Sequence, residues 1–282
     1  MKTFDFSHGA TSLGLAHGPG ILDFMDRNPG YVDYIEMPFE QLRHNPGLAS
    51  VQEVAPVVLH CASMSVAGFI PPSQETTDAI SQESARTQTP WIGEHLAFVS
   101  ADGISEEADR DTAPTNLTYT IAPQLSEEAV ERVAINLSSL RPKFSAPIIL
   151  ENSPQYFPIP GSTMGMADFV AMVSSQCDVD LLLDLSHFMI TSINTKVDAS
   201  KEIEKLPLER VVEIHLSGMN LQDGIVWDDH AVPAPPEMFD LLAQVAKRAR
   251  PRALTMEYNW ESLPHPVIVS HLERARNILA RS

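Results

Sequence analysis

The chain predicts a (β/α)8 barrel of the triosephosphate-isomerase type, with a metal site at the C-terminal face. Three observations carry this. Eight short apolar runs recur along the sequence, helical stretches separate most of them, and seven of the eight end on an acid or a histidine. Strand–helix alternation repeated about eight times closes a parallel sheet into a barrel. The length of 282 residues suits one barrel of about 250 residues, so residues 1–282 are expected to form a single domain. An open doubly wound sheet is the competing plan, but it wants a glycine-rich phosphate turn after the first strand. "LAHGPG" at 15–20 does not fit that fingerprint.

The runs, in order, are 11–16, 31–37, 56–61, 91–99, 146–152, 180–185, 211–217 and 253–258. Each reads as a strand buried on both faces. Helices are predicted over 73–88, opened by Ser73, and over 125–141, opened by Ser126 with acids in its first turn. Both serines are good N-caps, and the acids suit the helix dipole. Further helices are predicted over 166–176, 235–250 and 265–280, and those after the first two strands are short. Three long segments, 100–120, 152–165 and 218–234, follow strands and precede helices. In a barrel they lie on the C-terminal face, where active sites are built.

Composition narrows the partners. With 19 basic and 37 acidic residues the formal charge is −18, which repels phosphate backbones and anionic lipid, so neither nucleic acid nor membrane is expected. Acids gathered in one cavity would instead attract cations. Two cysteines, Cys61 and Cys177, do not suggest a disulfide framework and fit a reducing compartment. The first residues lack a signal-peptide pattern, and no apolar run is long enough to span a bilayer. A cytoplasmic protein is expected.

The strand ends carry the chemistry. They supply Glu36, His60, His95, Glu151, Asp184, His215 and Glu257, and His187 follows Asp184 by three positions in "DLLLDLSHF". Any one of these alone reads as a hydrogen-bonded core histidine or a loop cap. Seven together do not. Ionised carboxylates buried side by side cost several kcal/mol each unless cations compensate them. Imidazole and carboxylate without a cysteine pair suit Fe, Mn, Zn or Co. A mononuclear site needs three or four protein ligands, and the strand ends alone exceed that. The segment "VWDDHAVPAPP" (226–236) adds Asp228 and His230. This inventory fits two or three ions with a bridging carboxylate, for which Glu151 or Asp184 is the natural choice. Cys61 follows His60 directly, so it is expected to face the helices. No G-x-S-x-G turn and no Walker loop occurs.

In order, "VVLHCASMSVAG", "IGEHLAF", "IILENSPQY", "LLLDLSH", "EIHLSG", "WDDHAVPAP" and "TMEYNW" resemble the multinuclear non-heme iron-dependent oxidases, the family of the methanobactin-biosynthesis oxidase. The resemblance runs from about residue 11 to the C-terminus. It implies a barrel with two or three irons and dioxygen as co-substrate. By matching motif, His60, His95 and Glu151 hold one iron; Asp184, His215 and Glu257 join Glu151 around a second; Asp228 and His230 reach a third. Glu36 is similar to a family acid beside the site, either a ligand or a support. One departure stands out: typical members carry an Asn-rich stretch after the strand-six aspartate, and here His187 takes the place of an iron-binding asparagine. The resemblance further implies oxidation of a side chain, often cysteine, in a ribosomally made precursor peptide, and a separate peptide-binding partner protein.

A divalent-metal-dependent hydrolase or isomerase of the xylose-isomerase-like type is the alternative, since such barrels also place His, Asp and Glu at strand ends. A metal-storage module is a third reading.

Overall fold

The computed structural model describes residues 2–4, 9–101, 115–258 and 263–281. Eight parallel strands close a barrel: β1 (Ser12–Ala16), β2 (Tyr34–Pro38), β3 (Val57–Cys61), β4 (Ile92–His95), β7 (Ile148–Glu151), β8 (Leu181–Asp184), β9 (Val211–Leu216) and β12 (Ala253–Met256). The remaining strands form two hairpins, β5 (Phe98–Ala101) with β6 (Thr115–Ile121) and β10 (Met219–Gln222) with β11 (Ile225–Asp228). The barrel closes where β1 pairs with β12, Ser12 opposite Ala253.

Helices fill the crossovers: α1 (Ile21–Arg27), α2 (Phe39–His44), α3 (Gln74–Thr87), α4 (Glu127–Leu140), α5 (Met166–Cys177), α6 (Leu185–Thr195), α7 (Ala199–Glu202), α8 (Pro236–Val245) and α9 (His265–Leu279). Ser73 and Ser126 cap α3 and α4 as expected, accepting the Thr76 and Ala129 amides. No helix among the described residues is long and apolar enough to cross a membrane.

Several expectations need correction. The run 91–99 is not one strand: β4 stops at His95, and the chain resumes as β5 at Phe98. Apolarity continues through Leu96 and Ala97 because both are buried under the hairpin, so composition could not reveal the break. The segments 100–120 and 218–234 are not plain loops, since each carries hairpin strands; residues 102–114 lie outside the described residues. His187 lies on a helix absent from the predicted set: α6 starts directly at Leu185, and its first eight residues are all buried. A helix buried all round has no amphipathic stripe to betray it. The last strand also ends earlier than expected, at Met256, and α8 stops at Val245.

Pleat parity then sorts the core. Outward residues such as Leu59, Cys61, Ile92, Leu150, Leu183, Ile214 and Met256 join the large core against the helices. Inward residues Tyr34, Val58, Trp91, Ile149, Leu182 and Ala253 form a separate apolar plug. Two residues further along the same strand faces stand Glu36, His60, Glu151 and Asp184. The plug is why the barrel offers a bowl rather than a pore.

Gly93 marks where the bowl meets the plug. A Cβ there would lie 2.7 Å from His60 Nδ1 and 3.0 Å from Leu182 Cδ1. Gly93→Ala must therefore push the His60 ring out of place. We expect destabilisation of about 1–3 kcal/mol from overpacking, read by thermal unfolding, together with loss of bound metal; unchanged melting and metal content would contradict this packing.

Candidate metal centre

Every barrel strand but β1 delivers a polar side chain near or just past its C-terminal end, and the registers align them. His95 lies opposite Glu151, and Asp184 opposite His215. Glu151 stands in the middle. Its Oε2 is 3.3 Å from His60 Nε2 and 3.2 Å from His95 Nε2. Its Oε1 is 3.3 Å from His187 Nδ1 and 3.7 Å from His215 Nδ1. His215 Nδ1 lies 3.3 Å from Glu257 Oε2.

Two groups of ligand-type atoms result, each within 4.8 Å: His60, His95 and Glu151, and Glu151, Asp184, His215 and Glu257. Glu151 belongs to both. The fit to metal rests on atoms left over. Glu151 Oε2, Asp184 Oδ2 and His215 Nδ1 are buried without a hydrogen-bond partner. Buried polar atoms are rarely left so. Donors at about 2.1 Å from one ion sit about 3 Å apart at right angles, close to the separations seen here. Nitrogen and carboxylate oxygen donors suit first-row divalent ions.

The surroundings aim these donors. His215 Nε2–H donates to Glu36 Oε2 at 2.7 Å, which leaves Nδ1 facing the bowl. Asp184 caps α6 by accepting the His187 amide on Oδ1 at 2.6 Å, so Oδ2 alone is turned to the centre. Asn152 grips Asp184 from the side: its amide donates to the Asp184 carbonyl and accepts the Asp184 N–H, at 2.9 and 3.0 Å. Sequence reasoning gave Asn152 no role, and its only signal was its place beside Glu151.

Glu213 was also missed. It is buried and accepts from Tyr34, Thr255 and Trp91 at 3.0, 2.8 and 2.6 Å. It forms a further group with Glu36 and His215, but its oxygens are filled by protein donors. It therefore serves as a floor under His215. Its signal was the period of two: Glu213 precedes His215 on one strand face.

The upper rim is looser. His187 Nδ1 donates to the Asn152 carbonyl at 3.0 Å, and its Nε2 lies 3.5 Å from Asp228 Oδ2. His230 Nε2 is 2.9 Å from the same oxygen. His187, Asp228 and His230 thus meet pairwise through Asp228, and they are not among the groups gathered within 4.8 Å. Two further ionisable residues near strand ends stay outside the bowl. Glu94 faces the helices and accepts the Met64 amide at 3.1 Å, and His17 pairs with Gln41 at 2.8 Å.

Electrostatics record the crowding. Burial pushes Asp184 up to about 8, with Glu257, Glu151 and Asp228 adding to it. Burial would also raise Glu151, but the His95 ring and the His187 and His60 contacts hold it well below the usual range. Burial opposes charge on the His60 ring, yet Glu36 and Glu151 raise it to about 10. His230 is raised to about 9, chiefly by Asp228 against burial. Without cations the bowl borrows protons to neutralise itself.

A closed parallel barrel with carboxylates and imidazoles converging on one rim defines a (β/α)8 barrel with a candidate metal centre at its C-terminal face. More narrowly, the chain belongs to the family of RiPP precursor modification enzymes MbnB/TglH/ChrH, whose pattern matches residues 12–280; RiPPs are ribosomally made peptides modified after synthesis. A UPF0276 protein of Streptomyces avermitilis is 26% identical over 262 residues, covering 92% of this chain but 53% of that protein. One from Caulobacter vibrioides is 26% identical over 269 residues, covering 94% and 92%. Among solved structures, a D-tagatose 3-epimerase-like protein superposes with TM-score 0.61 at 12% identity, covering 96% of this chain and 99% of that one. Endonuclease IV from Thermus thermophilus gives 0.55 at 15% identity, covering 96% and 100%. These likenesses show the fold.

Raised imidazoles set a pH dependence. A group lifted above its ordinary value keeps its proton at every pH below the raised value, and a protonated imidazole cannot ligate. Binding of divalent ions near neutral pH must therefore displace protons from His60 and Asp184, and from His230 where it takes part. Affinity should rise about tenfold per pH unit for each proton displaced, up to about 9 to 10. Calorimetric titration of metal-free protein in buffers of different ionisation enthalpy counts the protons; heats independent of buffer would contradict the assignment.

Proposed function

We propose that the protein is a multinuclear iron-dependent oxidase that uses dioxygen to modify a side chain, a cysteine, of a ribosomally made precursor peptide. A separate peptide-binding partner protein would deliver the peptide, and the cytoplasm is the expected compartment. The observation that carries this reading is Glu151, one buried carboxylate shared by two groups of ligand atoms. Its family acts on RiPP precursors, which supplies the substrate class.

On this reading His60, His95 and Glu151 hold one iron, and Glu151, Asp184, His215 and Glu257 a second. His187, Asp228 and His230 line the place for a third. Iron bound there supplies one-electron chemistry and the activation of dioxygen. The chain's own share is positional. Glu36 fixes the His215 tautomer, Asn152 and the α6 cap turn one Asp184 oxygen to the centre, and the plug under the bowl excludes water from below. His230 Nε2, paired with Asp228 and half-exposed at the rim, is placed to hold a proton at the mouth.

Anaerobic purification and elemental analysis test the reading. More than one iron per chain is expected; a single tight zinc without iron, or turnover with zinc or manganese in the absence of oxygen, would turn it toward a metal-dependent isomerase or hydrolase. Glu151→Ala should abolish activity and strip more metal than Glu36→Ala, because a bridging carboxylate supports two ions and a supporting acid one. Equal metal retention would remove the bridge. His187→Asn restores the family-like amide: it should keep two irons and weaken the third by about tenfold, with turnover retained. Unchanged metal affinity beside falling activity would show that His187 is not a ligand.

A further inference from the structure

Beside the bowl lies a pair of rings that the metal chemistry does not use. Tyr156 and Trp227 stack with centroids 4.3 Å apart and planes at 28°. Tyr119 brings its hydroxyl to 3.3 Å from that of Tyr156. The three come from separate segments of the C-terminal face: β6, the segment after β7, and β11. Tyr119 is 59% and Trp227 39% exposed. Large aromatic side chains on rim hairpins are not placed there by core packing.

The stack is built, and Asn194 builds it. Its amide nitrogen donates to the carbonyls of Gln155 and Val226, at 3.2 and 2.8 Å, and its oxygen accepts the Val226 N–H at 2.9 Å. Gln155 and Val226 are the residues immediately before Tyr156 and Trp227. Thr191 adds a bond to the Gln155 N–H at 2.9 Å. One face of α6 therefore carries His187, Thr191 and Asn194, at i, i+4 and i+7. The helix that brings His187 to the centre also sets both rings.

Charge identifies the occupant. Elsewhere aromatic faces are covered from within: Arg132 Cζ sits 3.5 Å over the Phe69 ring, and Arg274 lies 4.3 Å over Phe239. Among the described residues no guanidinium or ammonium covers the Tyr156–Trp227 stack. Residues 115–125, 152–165 and 217–235 contain no Lys or Arg, while Asp223, Asp228 and Asp229 lie in the last of them. An electron-rich ring pair in acidic surroundings, with no cation over it among the described residues, is a receptor for one.

We propose that the Tyr156–Trp227 stack is a substrate subsite that takes an arginine side chain of the precursor peptide, its guanidinium lying on the Trp227 ring while the side chain to be modified enters the bowl. This rests on the reading of a peptide as substrate, but not on the identity of the metal. Trp227 is adjacent to Asp228, which pairs with His187 and His230, so the subsite lies one residue from the rim of the centre. Arginine suits it better than lysine, because a planar guanidinium stacks on a ring face and sheds water more readily.

The probes are dye-labelled, acetylated hexapeptides containing one cysteine. Arginine, citrulline or alanine is placed one to four residues to either side of it. Citrulline keeps the shape and removes the charge. Binding to anaerobically purified protein is read by fluorescence anisotropy at physiological salt. At the best spacing the arginine peptide should bind about fivefold to tenfold more tightly than the citrulline peptide. Trp227→Ala, which leaves the net charge unchanged, should erase that margin, Trp227→Phe should keep part of it, and Asn194→Ala should reduce it with Trp227 still in place. Equal binding of arginine and citrulline peptides to the wild type at every spacing overturns the subsite, as does a margin that survives Trp227→Ala. Arginine-dependent binding through Trp227 without any oxygen consumption supports the subsite and counts against the oxidase reading alone.

Discussion

Seven ionisable side chains end up within a few ångströms of one another at the top of a closed barrel, and Glu151 is the one the others surround. Its two oxygens face different neighbours, one toward His60 and His95, the other toward His187 and His215. Everything around it answers the problem of keeping a buried carboxylate charged. Imidazoles crowd it, and further acids turn those imidazoles. Beneath, a layer of Tyr34, Val58, Trp91, Ile149 and Leu182 supplies the rigidity. Mutual repulsion among the acids is tolerated because the sheet is closed and cannot spread to relieve it.

Rigidity is passed upward by short links. Asn152 stitches the end of β7 to the end of β8 as if both strands continued for one more residue. Asp184 divides its carboxylate between a helix cap and the centre. Glu213 is held by three donors, so the floor under His215 is fixed by protein contacts alone. These residues decide which lone pair each ligand presents. Such preorganisation by the surrounding shell matters to a metal site about as much as the ligands themselves.

Much of this was legible from sequence because a barrel ties position to role. A strand end in a parallel barrel points at the rim, so Glu36, His60, His95, Glu151, Asp184, His215 and Glu257 could be read as neighbours although 221 positions separate the first from the last. The parity that sends His60 inward sends Cys61 outward, and the structure keeps that split. What escaped was of two kinds. Helix α6 is buried on every side at its start, so no amphipathic periodicity separated it from the strand before it. Asn152, Asn194 and Glu213 act through contacts to backbone atoms or to residues far along the chain, and no local pattern announces such contacts. The upper-rim trio of His187, Asp228 and His230 sits on a helix start and a hairpin end, where sequence order alone does not settle distance.

Cys61 follows His60 in the chain and yet belongs to a different compartment. The strand turns its sulfur into the packed layer under the helices, fully covered, and burial together with Glu94 and Glu40 lifts its thiol well above the ordinary range. Cys177 is buried on the helix side as well, and its thiol is likewise raised. Thiolates, not thiols, are the reactive form. On the function proposed here, a catalyst that meets sulfur and dioxygen together runs the hazard of consuming itself, and the backbone pleat is the safeguard. One residue separates a candidate ligand from a bystander, and the alternation of a β-strand turns the second away from the bowl that the first faces.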